Sequence, residues 1–286
     1  MGVHSHDNID WNDRLHRLRE IDELTAPETA ALVERLLRPE DRAVAEIGSG
    51  AGGSAAAFAR ALSGTGGVVT VVDSAPELLT VAAETARNAA PDVEIRPVRA
   101  DAADDGLPDL VGQADLVFAA FVAHHLPDQL AGLRRMAGAV RPGGRLALVE
   151  FGLEPRVLPW DVGVGEPGLE LRLIALREQW FRRMRADMDG SVRLPIGWSS
   201  ALPQAGLTDV ETWSYLVDRP APVSGVALNA AVNRLEFLRR TAEEAGSAED
   251  LDAITRLLDP ESPHYVRGRD DVQYLVAHTV HVGTKP

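Results

Sequence analysis

The chain of 286 residues contains no cysteine, which excludes disulfides, thiolate metal sites and a cysteine nucleophile, and suits a reducing compartment. It also lacks any run approaching the roughly 18 apolar residues of a membrane helix. Its first residues, MGVHSHDNIDWNDRLHRLRE, mix His, Asp and Arg without an apolar core, so neither a spanning segment nor a signal peptide is expected. Positive charge is scarce: 29 Lys and Arg face 43 Asp and Glu, a formal net charge of -14. Such a field repels phosphate backbones and anionic lipid surfaces, so nucleic acid and membrane are not expected partners and a cytoplasmic location is. Metal-ligand spacing is missing as well. His4 and His6 flank a serine near the terminus, and His278 and His281 fall on opposite faces of a strand, so no metal site is expected. Internal repeats and low-complexity tracts are absent.

What remains is an ordinary globular composition, 45% hydrophobic, enough for a sizeable core. Apolar residues at Leu15, Leu18, Ile21 and Leu24, then at Leu32, Val33, Leu36 and Leu37, predict two N-terminal helices broken near Pro27. A short apolar run, Ala43 to Ile47, enters a glycine turn; a helix-prone SAAAFARAL and the apolar VVTVV ending at Asp73 follow. The alternation continues with a helix over 75–89, a strand over 93–98, a polar loop at DAADDG, a strand over 115–121, a helix over 128–140, the turn RPGG and a strand from Arg145 to Phe151. Five strands alternating with helices predict a parallel, doubly wound sheet. Beyond Phe151 come a Pro/Gly-interrupted loop, the amphipathic LELRLIALREQWFRRMRADM, a short helix at SSALPQAG and the strand LTDVETWSYLV. Two further helical patterns then precede a last strand, DVQYLVAHTVHVG. The expected architecture is a Rossmann-like, doubly wound, seven-stranded sheet, mostly parallel with an antiparallel last strand. N-terminal helices over 1–42 would act as a lid, and helical insertions are expected at about 152–205 and 219–271 of a domain spanning 43–286.

The richest segment runs from Val44 to Gly53, where Glu46 ends a strand and glycines stand at 48, 50, 52 and 53. Glycine lets backbone approach a ligand closely, and a following helix N-terminus offers free N–H groups. Taken alone, Gly48, Gly50 and Gly53 also satisfy the dinucleotide pattern. Asp73 ends the second strand at the ligand-binding edge of such a sheet. There it could accept bonds from ribose hydroxyls or, with Ser74 and Pro76, cap the next helix. Asp101 follows the third strand, where with Ala102 it could hold an adenine amino group or serve only as part of an acidic loop.

Together, ExGxGxG after the first strand, Asp73, Asp101, ADLVFAAFVAHHLPD and RPGG resemble the class I S-adenosylmethionine-dependent methyltransferases over roughly residues 40–151. The resemblance implies S-adenosyl-L-methionine as cofactor and S-adenosyl-L-homocysteine as product. It places Glu46, Gly48, Ser49, Gly50 and Gly52 around the methionine moiety, Asp73 and Ser74 at the ribose, and Asp101 and Ala102 at the adenine. Ala119 to Val122, with Phe121, would lie under the sulfonium. Methyl transfer from a sulfonium is an in-line displacement in which positioning supplies much of the rate, and an acceptor that must lose a proton needs a base. His124 and His125, just past the fourth strand, are the candidates, His124 being nearer the strand end. The long helical segment between the last two strands departs from the family, where a tight hairpin is common.

Aromatic residues outside the core pattern, Trp160, Trp180, Trp198 and Tyr265, are candidates to line a pocket for a flat, aromatic or heterocyclic small molecule of the natural-product type, or else to dock helices. The sequence is compatible with a homodimer. Two other readings compete: an NAD(P)-dependent oxidoreductase, which shares GxGxxG and Asp73 but lacks a Tyr-x-x-x-Lys constellation here, and a methyltransferase-like binding protein without activity. O, N and C all remain open as the acceptor atom.

Overall fold

The computed structural model describes residues 11–286, with side chains from Asp13 onward. The chain divides into two compact units. The first takes in the chain up to Phe151 together with Asp189–Tyr215 and His278–Pro286, and the second holds Gly152–Met188 and Leu216–Ala277.

Seven strands, β1 (Ala43–Ile47), β2 (Val68–Asp73), β3 (Glu94–Arg99), β4 (Ala114–Ala120), β5 (Val140–Arg156), β6 (Thr208–Arg219) and β7 (Tyr274–Thr284), lie in the order β3-β2-β1-β4-β5-β7-β6. Neighbours from β3 through β5 are parallel. The last strand is antiparallel, and Gly143 N–H donates to Lys285 O while Lys285 N–H donates to Gly144 O. The order reverses between β1, which continues to β2 on one side, and β4 on the other. Strands diverge to opposite sides there, so a crevice opens at their carboxyl ends. The unbroken apolar run of β2 follows from its position, because a central parallel strand is covered on both faces.

One face of the sheet carries α1 (Trp11–Leu36), α2 (Gly53–Leu62) and α3 (Pro76–Ala89), with Leu32, Val33, Phe58, Leu62, Phe118 and Val280 in one apolar cluster. The other carries α4 (Leu107–Val111), α5 (Gln129–Gly138) and α7 (Trp198–Gln204), closing on Ile47, Val117, Leu133, Met136, Leu148 and Leu202. In the second unit α6 (Leu169–Asp187) packs on α8 (Gly225–Ala245), which packs in turn on α9 (Ala248–Leu258). Its polar ties include Glu154 paired with both Arg177, at 3.1 Å, and Arg234, at 2.6 Å. Among the described residues no helix is long and apolar enough to cross a membrane.

Two local expectations are corrected. The N-terminal apolar pattern forms one helix, not two, and Pro27 lies inside α1. An interior proline costs about 3 kcal/mol, but Leu24, Leu32, Val33 and Leu36 all bury on one side of the same helix, and unbroken packing on α2 outweighs that cost. Its C-terminal end is fastened by buried Arg145 on β5, which donates to Leu36 O and pairs with Asp41. The second correction is RPGG: it does not precede the fifth strand but is extruded from within it. Ala114 pairs with Val140 and Leu116 with Arg145, so four residues bulge out, Gly143 at φ 78°.

Candidate active site

The glycine loop is held by its neighbours before any ligand is considered. Gly48 and Ser49 both donate their N–H to Val72 O, at 2.7 and 3.0 Å. The Ser49 hydroxyl accepts Val72 N–H at 2.9 Å and lies 3.2 Å from Glu46 O and from Val72 O. Ser49 is therefore spent on joining β1 to β2. Gly48 has φ 73°, and a Cβ there would meet Val122 Cγ2 at 2.4 Å; Gly52 has φ 89°, and a Cβ would meet Ala82 Cα at 2.7 Å. Gly50, at φ 54°, differs, since a Cβ would meet nothing within 4 Å. Packing explains the first two glycines, and an open approach to the loop explains the third.

Three carboxylates converge on this loop. Asp73, buried at the end of β2, accepts Gly50 N–H at 3.1 Å and Ala75 N–H at 3.0 Å. It thus both braces the loop and turns the chain into α3. Asp22 reaches from α1 and accepts Gly53 N–H at 2.9 Å. Glu46 is buried, faces the Ser54 hydroxyl and the Ala55 amide, and keeps Oε2 without a hydrogen-bond partner. Burial pushes Asp22 up to about 6, against the Gly53 bond that favours its charge. Glu46 is raised well above the usual carboxylate range, first by burial and then by the charges of Asp22 and Asp73. Asp73 is raised by burial, and its backbone bonds and Arg14 oppose the shift. Asp22 was missed from sequence, where it is one acidic residue of a helix otherwise read by its apolar positions.

This arrangement corrects the expectation of free N–H groups at the helix N-terminus. The first turn of α2 already faces the carboxylates of Asp22 and Glu46. An anion placed there would displace or oppose two acidic groups, whereas a cation would meet an orphaned carboxylate oxygen. At the β3 end, Asp101 accepts Ala103 N–H at 2.8 Å and Ala102 is buried. Ser74 is exposed beside Asp73.

Residues 45–146 match the methyltransferase-domain family. Among curated proteins, 27-O-demethylrifamycin SV methyltransferase of Amycolatopsis mediterranei is 34% identical over 152 residues, 51% of this chain and 54% of that one. Ubiquinone biosynthesis O-methyltransferase of Xanthomonas axonopodis pv. citri is 30% identical over 123 residues, 43% of this chain and 48% of that one. A Bacillus halodurans C-125 protein assigned to the methyltransferases superposes with a TM-score of 0.51 at 15% identity, covering 91% of this chain and 99% of that one, and so shares the fold. The chain thus contains a methyltransferase-like domain over residues 45–146. It spans about half the length of the curated relatives it matches.

Within the methyltransferase domain, β4 delivers the remaining candidates. Ala119 is buried in register with Ile47 and Leu148. Phe121, the first residue past β4, adopts φ 57° while its N–H donates to Val149 O at 2.8 Å. A left-handed aromatic residue is strained, and such strain concentrates where the chain must aim side chains. Immediately after it, buried His124 places Nδ1 2.7 Å from Glu150 Oε2, and its N–H donates to Glu150 Oε1 at 3.3 Å. Glu150 is itself buried at the end of the apolar part of β5. Sequence reading missed it, although a lone acidic residue closing LALVE is the same signal that marked Asp73. A carboxylate on Nδ1 fixes the ring's orientation. His125 is exposed, its ring 4.0 Å from that of His124.

From this dyad a file of rings runs across the first unit. Phe151 lies 4.8 Å from His124 and 5.2 Å from Phe121, and Phe121 stands edge-on to His278 at 4.7 Å. His278 Nδ1 is 3.3 Å from Tyr215 Oη. Burial pushes His278 down to about 4 and Tyr215 up to about 12, so both stay neutral at ordinary pH. Of the aromatic residues expected at the pocket, Trp198 packs against the first unit's core. Trp160, Trp180 and Tyr265 belong to the second unit, where Trp180 stacks edge-on with Phe237 at 5.7 Å and Trp160 is exposed. Among the described residues no three His, Asp or Glu side chains could hold a metal; His4 and His6 lie outside them.

Proposed function

We propose that the protein transfers a methyl group from S-adenosylmethionine to an oxygen of a small, aromatic or heterocyclic natural-product-type acceptor, with His124 as general base. The observation that carries this reading is the acidic first turn of α2. A dinucleotide needs that helix N-terminus for its pyrophosphate, and here Asp22 and Glu46 hold it, which disfavours a nicotinamide enzyme. The same groups suit a ligand with an ammonium and a sulfonium. Glu46, Gly48, Gly50 and Gly52 would surround the amino-acid end, Asp73 and Ser74 the ribose, Asp101 and Ala102 the adenine, and Ala119 and Phe121 the sulfur. The α1 helix would act as part of a lid.

When bound, S-adenosylmethionine supplies an electrophilic methyl group. The chain's own part is to hold the acceptor in line with that methyl, which positioning alone can speed greatly, and to remove the acceptor's proton. His124 Nε2 would take the proton while Glu150 stabilises the imidazolium that forms. Phe151 and Phe121 offer apolar ring faces to a flat acceptor. The names of the two curated relatives, a methyltransferase of 27-O-demethylrifamycin SV and an O-methyltransferase of ubiquinone biosynthesis, support oxygen as the acceptor atom. The absence of cysteine supports a reducing, cytoplasmic setting. Calorimetric titration with S-adenosylmethionine, S-adenosylhomocysteine and NADH, followed by a screen of phenolic acceptors, tests the reading. Micromolar binding of the first two without the third, and methylation of a phenol, is expected. NADH binding alone would point to a dehydrogenase, and cofactor binding without turnover on any acceptor to a binding protein.

A further inference from the structure

The glycine loop and the acidic strand ends read from the sequence do not account for Asp22, which comes from α1 and not from the sheet edge. Its carboxylate sits on Gly53 N–H so closely that a Cβ at residue 53 would lie 2.4 Å from Asp22 Cγ. The next acidic group, Glu46, is 3% exposed and holds an oxygen with no hydrogen-bond partner. Two carboxylates crowded around one helix turn repel each other when both are ionised, and the relief open to them without a cation is to retain a proton. Asp73 on β2 adds negative charge to Glu46, and Arg14 on α1 acts on Asp73. Arg19, Glu23 and Glu34 on α1, Arg38, Asp41 and Arg42 beyond it and Arg60 on α2 line, together with Asp22, Gly53 and the uncharged Thr85 of α3, a groove of about 910 Å³. Among the described residues none of these arginines forms an ion pair with Asp22 or Glu46.

We propose that Asp22 and Glu46 form one subsite for the ammonium group of the cofactor's amino-acid end, and that cofactor binding expels a proton from this pair to solvent. This rests on the methyltransferase reading. On binding, a carboxylic acid O–H gives its proton to the buffer, and the freed carboxylate accepts an N–H of the ammonium. The α1 helix thereby becomes part of the cofactor site, and Asp22 is a positioning residue that couples this helix to the ligand's charge. The raised positions of both groups agree, since a cation lowers them on binding and proton release follows.

Calorimetry at pH 6.0 in two buffers of different ionisation enthalpy, phosphate and imidazole, measures the proton directly. S-adenosylmethionine and S-adenosylhomocysteine should each release about half a proton or more per site, and 5′-methylthioadenosine, which lacks the amino-acid end, none. Asp22→Asn keeps an oxygen for Gly53 N–H; it should cut the release at least in half and weaken S-adenosylmethionine about tenfold at pH 7.5 but little at pH 5.5. A binding enthalpy of the wild type that is the same in both buffers overturns the proposal whatever the variant does, as does an Asp22→Asn protein that matches the wild type in affinity and release. Wild type that binds no S-adenosylmethionine overturns the methyltransferase reading and this proposal with it.

Discussion

His124 and Glu150 form a buried side-chain contact at the candidate site, 2.7 Å between Nδ1 and Oε2. If the dyad is the base, its two members fail differently. His124→Ala removes the proton acceptor and should lower kcat by about 10² to 10⁴. Glu150→Gln preserves shape and some hydrogen bonding but not the stabilising charge, so kcat should fall by about 10 to 100. In both, affinity for S-adenosylmethionine should stay within about threefold, because neither side chain is among the groups assigned to the cofactor. Steady-state kinetics beside calorimetry separate the cases. Equal losses of kcat and cofactor affinity would mean that the pair is a packing element of the β4 end, which the αL backbone of Phe121 makes a serious alternative.

At the scale of elements, the loop between β1 and α2 offers a contrast between two glycines of similar backbone and different surroundings. Gly52→Ala drives a methyl into the α3 backbone at Ala82, a clash that flexible side-chain motion cannot relieve. A loss of about 2 to 4 kcal/mol is expected, seen as a lower melting temperature. Gly50→Ala has only its φ of 54° to resist, about 1 to 2 kcal/mol, because the space beside it is open. If that space receives the cofactor, the Ala variant should lose at least tenfold in affinity while remaining folded, and unchanged binding would place the ligand elsewhere. This loop was legible in sequence because glycine spacing, the acidic strand ends and short unbroken apolar strands all reflect local rules. The mostly parallel, seven-stranded sheet with its antiparallel last strand followed because alternating elements leave few topologies. Continuity of α1 through Pro27 was not legible: it depends on a shared buried face that only the assembled sheet provides. The RPGG bulge depends likewise on pairing with β4. Asp22 and the Tyr215–His278 pair could not be placed from spacing, since each meets its partners from an element distant in the chain.

For the molecule as a whole, the pH dependence of folding is a contest between buried groups of opposite sign. Asp22, raised from 3.8 to about 6, favours the folded state most at low pH, and that contribution disappears as pH climbs through about 6. His278, lowered from 6.5 to about 4, works the other way: its neutral ring is favoured above 6.5, and stability is lost as pH falls toward 4. Linkage converts these shifts, between pH 5 and 7, into about 1 kcal/mol lost from Asp22 and about 2 kcal/mol gained from His278. The two largely offset, so wild type alone would report little, and the raised Glu46 adds to the Asp22 direction. Differences between proteins isolate each term. Relative to wild type, Asp22→Asn should gain about 1 kcal/mol from pH 5 to pH 7, roughly 2 °C in melting temperature, because an amide does not ionise. His278→Phe, which keeps the edge-on ring against Phe121, should instead lose about 2 kcal/mol relative to wild type over the same interval. Thermal melts of the three proteins in closely spaced buffers decide it: parallel curves would mean that neither group is buried as the structure has it. Divergence in opposite directions would fix both signs, and with them the charge state of the site that the cofactor meets at neutral pH.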